Sequence, residues 1–280
     1  MSKYINPYTD FGFKKLFGEE ASKELLIDFL NALLPEKHRI KTLKFRNTEQ
    51  LGPTTADRRA IYDIFCNAEN GEKFIVEMQK AKQLHFKDRA LFYTALPIRE
   101  QAEKGDDWNF ELKAVYFVGI LDFEYDEKEE RRKFRRDVML KDQDGDVFYE
   151  KMQYIFLQMP LFEKTESELE NHRDKWIYFL KNLVNFDRIP EILHERIFEK
   201  AFEKAELARM NKTEREQYEA NLKVYRDNFA VLDTARAEGK AEGKIEGKIE
   251  VARGMKKEGF DMTMISKLTG LSSEEIDWLD

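Results

Sequence analysis

The chain has 280 residues, of which 37 % are charged and 13 % aromatic, and its net charge is −7. That length supports one large domain or two modest ones, and the composition is that of a folded protein with a heavily solvated exterior, which excludes a disordered polyelectrolyte. The negative balance excludes a uniformly basic coat for nucleic acid, because counterion release needs clustered Lys and Arg; any such contact must be local or metal-assisted. Cys66 is the single cysteine, which rules out an intrachain disulfide framework and a Cys-based zinc site and fits a reducing compartment, by default the cytoplasm. Residues 1–10 lack an apolar core and the longest nearly apolar run, residues 114–121, is too short to span a bilayer, so neither secretion nor membrane insertion is expected.

After Pro7, either Thr9 or Asp10 can cap a short helix running to Phe17, with Gly18 as its stop. An amphipathic helix follows over residues 20–34, with Leu25, Leu26, Phe29, Leu30 and Leu33 on one stripe and Pro35 beyond it. Residues 40–46, 60–67 and 73–79 have strand composition with turn-rich punctuation between them. A helix over 84–104, with Pro97 as a kink, leads to a strand over 113–122. The order α, β, β, β, α, β predicts an α/β fold, a mixed sheet flanked by helices.

Residues 124–137 form a charge run, including Glu129, Glu130, Arg131, Arg132, Lys133, Arg135 and Arg136, and this pattern fits a solvated connection better than a phosphate patch. Residues 134–140 and 147–159 predict a second hairpin around a turn at 141–146. The acidic stretch Asp142 to Asp146 has some calcium-loop character, but its glycine falls two positions early and the closing glutamate is missing, so a turn is expected.

From Thr165 the pattern is helical, over 176–183 and 190–208, and it stays highly charged to Thr234. A tetrad then repeats three times: Ala237-Glu238-Gly239-Lys240, Ala241-Glu242-Gly243-Lys244 and Ile245-Glu246-Gly247-Lys248. On a helix each column drifts only about 40° per repeat, giving persistent stripes of Glu, Lys, Gly and Ala/Ile. Like charges stand at i,i+4, no opposite charge stands at i+3 or i+4, and the glycines weaken the helix further. The segment is therefore a pairing helix or a semi-flexible linker. It is not a phosphate loop, since no strand precedes it. The end of the chain shows short helices: Gly259 as a stop, Asp261 as an N-cap, Gly270 as a turn, Ser272 with Glu275 as a capping box. Residues 255–280 carry three lysines against six acids, a net −3 that argues against DNA reading by this module alone. The expected divisions are a core over 1–160 with an added hairpin, a helical region over 161–234, the repeat helix or linker over 235–254 and a helical tail over 255–280.

The chemistry gathers on one hairpin. Gly71 suits the left-handed position of a three-residue loop, and pairing about Asn70 sets Ala68 opposite Glu72 and Asp63 opposite Glu77. Alternation puts Ile61, Asp63, Phe65, Ile75, Glu77 and Gln79 on one face and Tyr62, Ile64, Cys66, Phe74, Val76 and Met78 on the other. Two carboxylates at the end of a mostly apolar face repel and desolvate badly, a cost that a bound cation removes. Oxygen ligands on adjacent strands suit Mg2+ or Mn2+. An edge-strand pair of solvated acids is the structural alternative. None of the four histidines has a partner evident from sequence, and there is no Ser/His/Asp arrangement.

The hairpin resembles the PD-(D/E)XK nuclease core, with Asp63 followed by Glu77-Met78-Gln79. More narrowly, the chain resembles the recombination-promoting nuclease and transposase family: Asp10-Phe11-Gly12-Phe13-Lys14-Lys15-Leu16-Phe17-Gly18, Asp63-Ile64, Val76 to Gln79, Arg89 with Tyr93, the Glu-Gly-Lys repeats and Leu268 to Ser272 all match. The resemblance implies a PD-(D/E)XK-like fold with a helical C-terminal extension and a metal-dependent DNA endonuclease using Mg2+ or Mn2+. Asp63 and Glu77 would be catalytic metal ligands, Asp10 a third carboxylate unless it only caps its helix, and Gln79 would stand where lysine is usual. An amide can hold a water but brings no positive charge. Strand parity turns Lys80 away, so Lys14 or Lys82 is the expected compensation, with Arg89 as a phosphate contact or an ion-pair partner. DNA is the expected partner, with a homo-oligomer through the C-terminal helices also open. Two alternatives stand beside the nuclease linked to recombination or mobile elements. One is a catalytically weak DNA-binding or oligomerising protein, and the other a nuclease toxin or phage-defence factor controlled through its C-terminal helices.

Overall fold

Thr9, rather than Asp10, caps the first helix, α1 (Asp10–Phe17): its hydroxyl accepts the Gly12 N–H at 3.0 Å. The computed structural model describes residues 2–50, 60–102, 109–125 and 132–279. A 3-10 turn, Glu20–Ser22, begins the predicted second helix, and α2 (Lys23–Leu33) buries the five expected apolar residues. The strands are β1 (Leu43–Phe45), β2 (Glu49–Gln50), β3 (Ala60–Ile61), β4 (Ile64–Ala68) and β5 (Lys73–Gln79). Next come α3 (Phe86–Arg99), β6 (Val115–Leu121), β7 (Arg135–Lys141) and β8 (Val147–Gln158).

Six strands form a mixed sheet in the order β1-β4-β5-β6-β8-β7, with β5, β6 and β8 mutually parallel and the rest antiparallel. The parallel step from β5 to β6 requires a crossover, and α3 supplies it. One face of the sheet, with Phe65, Ile75, Val115, Phe117, Leu121, Tyr154 and Phe156, is covered by Phe86, Ala90 and Leu96 of α3. The other face, including Ile64, Cys66, Phe74, Val76, Tyr116 and Val118, is buried as well. This is the α/β arrangement that the element order predicts.

The predicted strand over 60–67 is two strands. β3 pairs with β2, whereas β4 pairs with β5, and the chain bends at Tyr62 and Asp63 between them. Tyr62 N–H donates to Thr48 O at 2.9 Å, its hydroxyl donates to Tyr93 O at 3.0 Å, and its ring lies 5.2 Å from that of Phe65. Tyr62 therefore joins the α3 side, which the uninterrupted alternation had denied it, and Ile61 turns outward. α3 begins two residues later than predicted because His85 is left-handed, at φ +61°. The predicted end at Lys104 lies outside the described residues.

Beyond the sheet, α4 (His172–Asn182) and α5 (Arg196–Ala205) pack with α1 and α2 around Trp176, whose ring lies 5.7 Å from Phe17, 5.8 Å from Phe29 and 4.9 Å from Phe198. Asp28 accepts from the Trp176 indole at 2.6 Å and bonds His172 Nε2 at 2.5 Å, while His172 Nδ1 lies 3.4 Å from Glu195. His38, His85 and His194 likewise have carboxylate neighbours in Glu72, Asp88 and Glu199. In the charge run, Arg132 pairs with Glu124 and Arg135 with Asp137, as a solvated connection would; Glu129, Glu130 and Arg131 lie outside the described residues. The Asp142 carboxylate accepts from Asp144 N–H and Asp146 N–H, closing the turn between β7 and β8.

The chain divides into two compact units, Met1–Asn221 and Leu222–Asp280. The helix α6 (Lys212–Lys257) contains the whole tetrad repeat, and Arg226 to Gly247 are exposed on every side. In the second unit, α7 (Met262–Thr269) is capped by Asp261 and α8 (Ser273–Asp277) by the Ser272/Glu275 box, with Gly270 at φ +72° between them. Ala252, Ile265, Leu271, Ile276 and Leu279 make its small core.

Candidate active site

The β4–β5 register is the expected one. Ile64 pairs with Val76 and Asn67 with Lys73, Ala68 N–H reaches Glu72 O at 2.8 Å, and Gly71 is left-handed at φ +86°. One step past the paired residues, Asp63 comes beside Glu77. Met78 N–H donates to Asp63 Oδ2 at 2.7 Å, and Asp63 N–H donates to Glu77 Oε1 at 3.1 Å. The side-chain amide of Gln79 donates to Glu77 Oε2 at 3.0 Å. Each carboxylate is thus aimed by donors whose positions the hairpin fixes.

Burial is nearly complete for Glu77, which is 3 % exposed. Its neighbour on β6 is Gly119, where a Cβ would stand 2.9 Å from Phe156 Cδ1 and 3.3 Å from Phe117 Cε1. Loss of water pushes the Glu77 carboxyl up to about 8, and the Asp63 charge adds to that. Burial also raises Asp63; the Met78 N–H pulls it back, Asp10 raises it again, and Lys14 and Lys80 lower it.

The remaining predicted residues stand in different relations to this pair. Asp10, freed from capping, acts on Asp63 through its charge, and it pairs with Lys14 at 2.9 Å. Lys80 also acts on Asp63, although parity had set it aside; β5 ends at Gln79, so alternation no longer governs the next residue. Lys82 lies exposed between β5 and α3. Arg89 reaches the site from the first turns of α3, donating to Gln79 Oε1 and to Gln83 Oε1, with its guanidinium 5.8 Å from the Tyr93 ring centroid. The positive charge absent from position 79 therefore stands one hydrogen bond behind it. Gln83 and Tyr62 were missed as supports of the site, and no local sequence signal marks either.

Among the described residues no three His, Cys, Asp or Glu side chains gather closely enough to hold a metal ion by themselves. The donor set nonetheless fits a hard divalent cation. Mg2+ binds through one or two carboxylates while keeping several waters, and a buried Glu77 and half-buried Asp63 that repel each other gain from it.

The family model for PD-(D/E)XK nuclease family transposases matches residues 7–235. The chain belongs to this family. The match takes in Asp10, the hairpin with Asp63, Glu77 and Gln79, and Arg89, and it stops in α6 just before the tetrad repeat. No curated protein and no solved structure matches the chain. Membership in the PD-(D/E)XK transposase family carries a nuclease-type hydrolase function with DNA as the implied substrate. No described helix is long and apolar enough to cross a membrane.

Proposed function

We propose that the chain is a divalent-metal-dependent DNA endonuclease in which Asp63 and Glu77 hold Mg2+ or Mn2+, with Asp10 as a candidate third carboxylate. The observation that carries this reading is the pair of carboxylates, Glu77 buried and Asp63 half-buried, set side by side where β4 begins beside β5, each aimed by hydrogen bonds and each pushed toward its neutral form. When bound, the cation supplies Lewis-acid polarisation of a phosphodiester. The protein's own groups do the positioning. Met78 N–H and Asp63 N–H fix the two carboxylates, Gln79 holds Glu77 and offers its amide to a water, and Arg89 brings positive charge to the substrate phosphate, with Lys14 and Lys82 as further contacts. The setting we propose is recombination or mobile-element activity in the cytoplasm, where Cys66 stays reduced.

Plasmid cleavage in magnesium tests the assignment. Asp63→Asn and Glu77→Gln each lose on the order of 100-fold or more of the activity; cleavage at the parent's rate by either variant refutes it.

The long exposed stretch of α6 favours an additional role for that helix, pairing with a second copy. Helices with no tertiary contact are marginal in water, and each interior glycine costs about 1 kcal/mol, so Arg226 to Gly247 gain from a partner. The Glu and Lys columns stand about 200° apart, flanking the Gly stripe on either side. In a parallel two-fold pair the Glu column of one copy faces the Lys column of the other; an antiparallel pair sets like against like.

A further inference from the structure

Two exposed apolar side chains and a cation flank Tyr93, whose ring feels the charges of Glu77 and Asp63. Ile61, two positions before Asp63, is 62 % exposed, and Phe92, one turn after Arg89 on α3, is 41 % exposed. Tyr93 joins them: its hydroxyl is hydrogen-bonded to the Ile61 backbone, and its ring lies 6.4 Å from that of Phe92. The Arg89 guanidinium stands over the same Tyr93 ring. Single exposed apolar residues are ordinary, but here apolar, aromatic and cationic groups meet around one tyrosine beside the Asp63 and Glu77 carboxylates.

That combination matches a nucleotide whose base is uncovered. Any base offers a face for stacking on an aromatic ring, and a guanidinium beside it meets the adjoining phosphate. A continuous duplex keeps its base faces covered, and its phosphate run calls for a broad basic footprint that a chain of net charge −7 does not supply. We propose that Phe92, with Ile61 and Arg89, holds an unpaired base next to the phosphate presented to Asp63 and Glu77, so that the substrate of this site is single-stranded or locally unpaired DNA. This rests on the nuclease reading of the site, and it is tested by binding.

The experiment uses the full chain carrying Asp63→Asn, in EDTA, so that cleavage and the charge of one carboxylate are both removed. Fluorescence anisotropy compares a labelled oligothymidylate with a blunt hairpin duplex of equal phosphate number. The oligothymidylate binds more tightly, and adding Phe92→Ala weakens it by about tenfold, the loss of one base stack, while the duplex changes by less than about twofold. Phe92→Trp keeps the preference, which separates stacking from a folding defect in the exposed Phe92 variant. Equal affinity for the two DNAs, or an equal loss on both with Phe92→Ala, overturns the proposal. Cleavage by the parent chain in magnesium decides the nuclease reading separately. Selective binding without cleavage removes only the enzyme reading, and cleavage without selective binding removes only the stacking platform.

Discussion

Gln79 is held between two opposite charges, its amide N–H on Glu77 and its carbonyl oxygen under Arg89. The two contacts fix the orientation of the amide, because exchanging its oxygen and nitrogen would set a lone pair against a carboxylate and an N–H against a guanidinium. On the proposed nuclease reading, the positive charge that a lysine would bring at this position would come from α3, through an amide rather than by direct extension. Arg89→Ala should reduce single-turnover cleavage by about 100-fold, the scale for losing one electrostatic contact to the reacting group. Placing a lysine at position 79 in that variant, as Gln79→Lys, should recover most of the loss. A double variant as inactive as Arg89→Ala alone would mean that Arg89 acts elsewhere, as on a distant phosphate. Sequence shows Arg89 and Gln79 as separate candidates; their contact depends on how the crossover helix settles over the sheet, which no local pattern encodes.

At the scale of elements, the parts governed by neighbours in sequence were legible. The hairpin register followed from Gly71 and the length of the β4–β5 loop, and the caps at Asp261 and Ser272 followed from side chains that reach backbone three residues on. The break at Tyr62 was not legible. It arises because β3 pairs with β2 and the Tyr62 hydroxyl bonds α3, two choices made by distant chain. The same holds for His172, whose partner Asp28 is 144 residues away. α6 is the opposite case, a helix with plain periodicity and few contacts to explain it. If it pairs in parallel with a second copy, the parent chain sediments as a dimer. Replacing Lys240, Lys244 and Lys248 with Glu then gives a monomer, and mixing that variant with one carrying Lys at Glu238, Glu242 and Glu246 restores a dimer. A monomeric parent at micromolar concentration would contradict the pairing.

For the molecule as a whole, two acid–base networks pull stability in different directions. Burial pushes Asp28 up, but the hydrogen bonds from His172 and Trp176 outweigh it and its carboxyl titrates below the ordinary 3.8, so that contribution is present above 3.8 and is lost as pH falls through the folded value. The Asp28 bond raises His172 above 6.5, so its contribution is full below 6.5 and is lost as pH rises through the raised value. The hairpin carboxylates behave inversely to Asp28. Glu77 in the fold holds its proton to about 8 against an ordinary 4.5, so the metal-free protein loses stability as pH rises across that interval. On the proposed reading, a divalent cation at Asp63 and Glu77 would cancel the loss by binding only the folded, ionised form.

Thermal unfolding of the parent chain and of Glu77→Gln, measured in EDTA and in Mn2+ from pH 5 to pH 9, tests this most directly, because the Asp28–His172 contribution is common to both proteins and drops out of their difference. The predicted result is a metal-free parent whose Tm falls relative to Glu77→Gln as pH rises toward about 8, with Mn2+ raising the parent's Tm at high pH and leaving the variant unchanged. A difference that does not vary with pH, together with no response of the parent to Mn2+, would contradict a cation site built on Asp63 and Glu77.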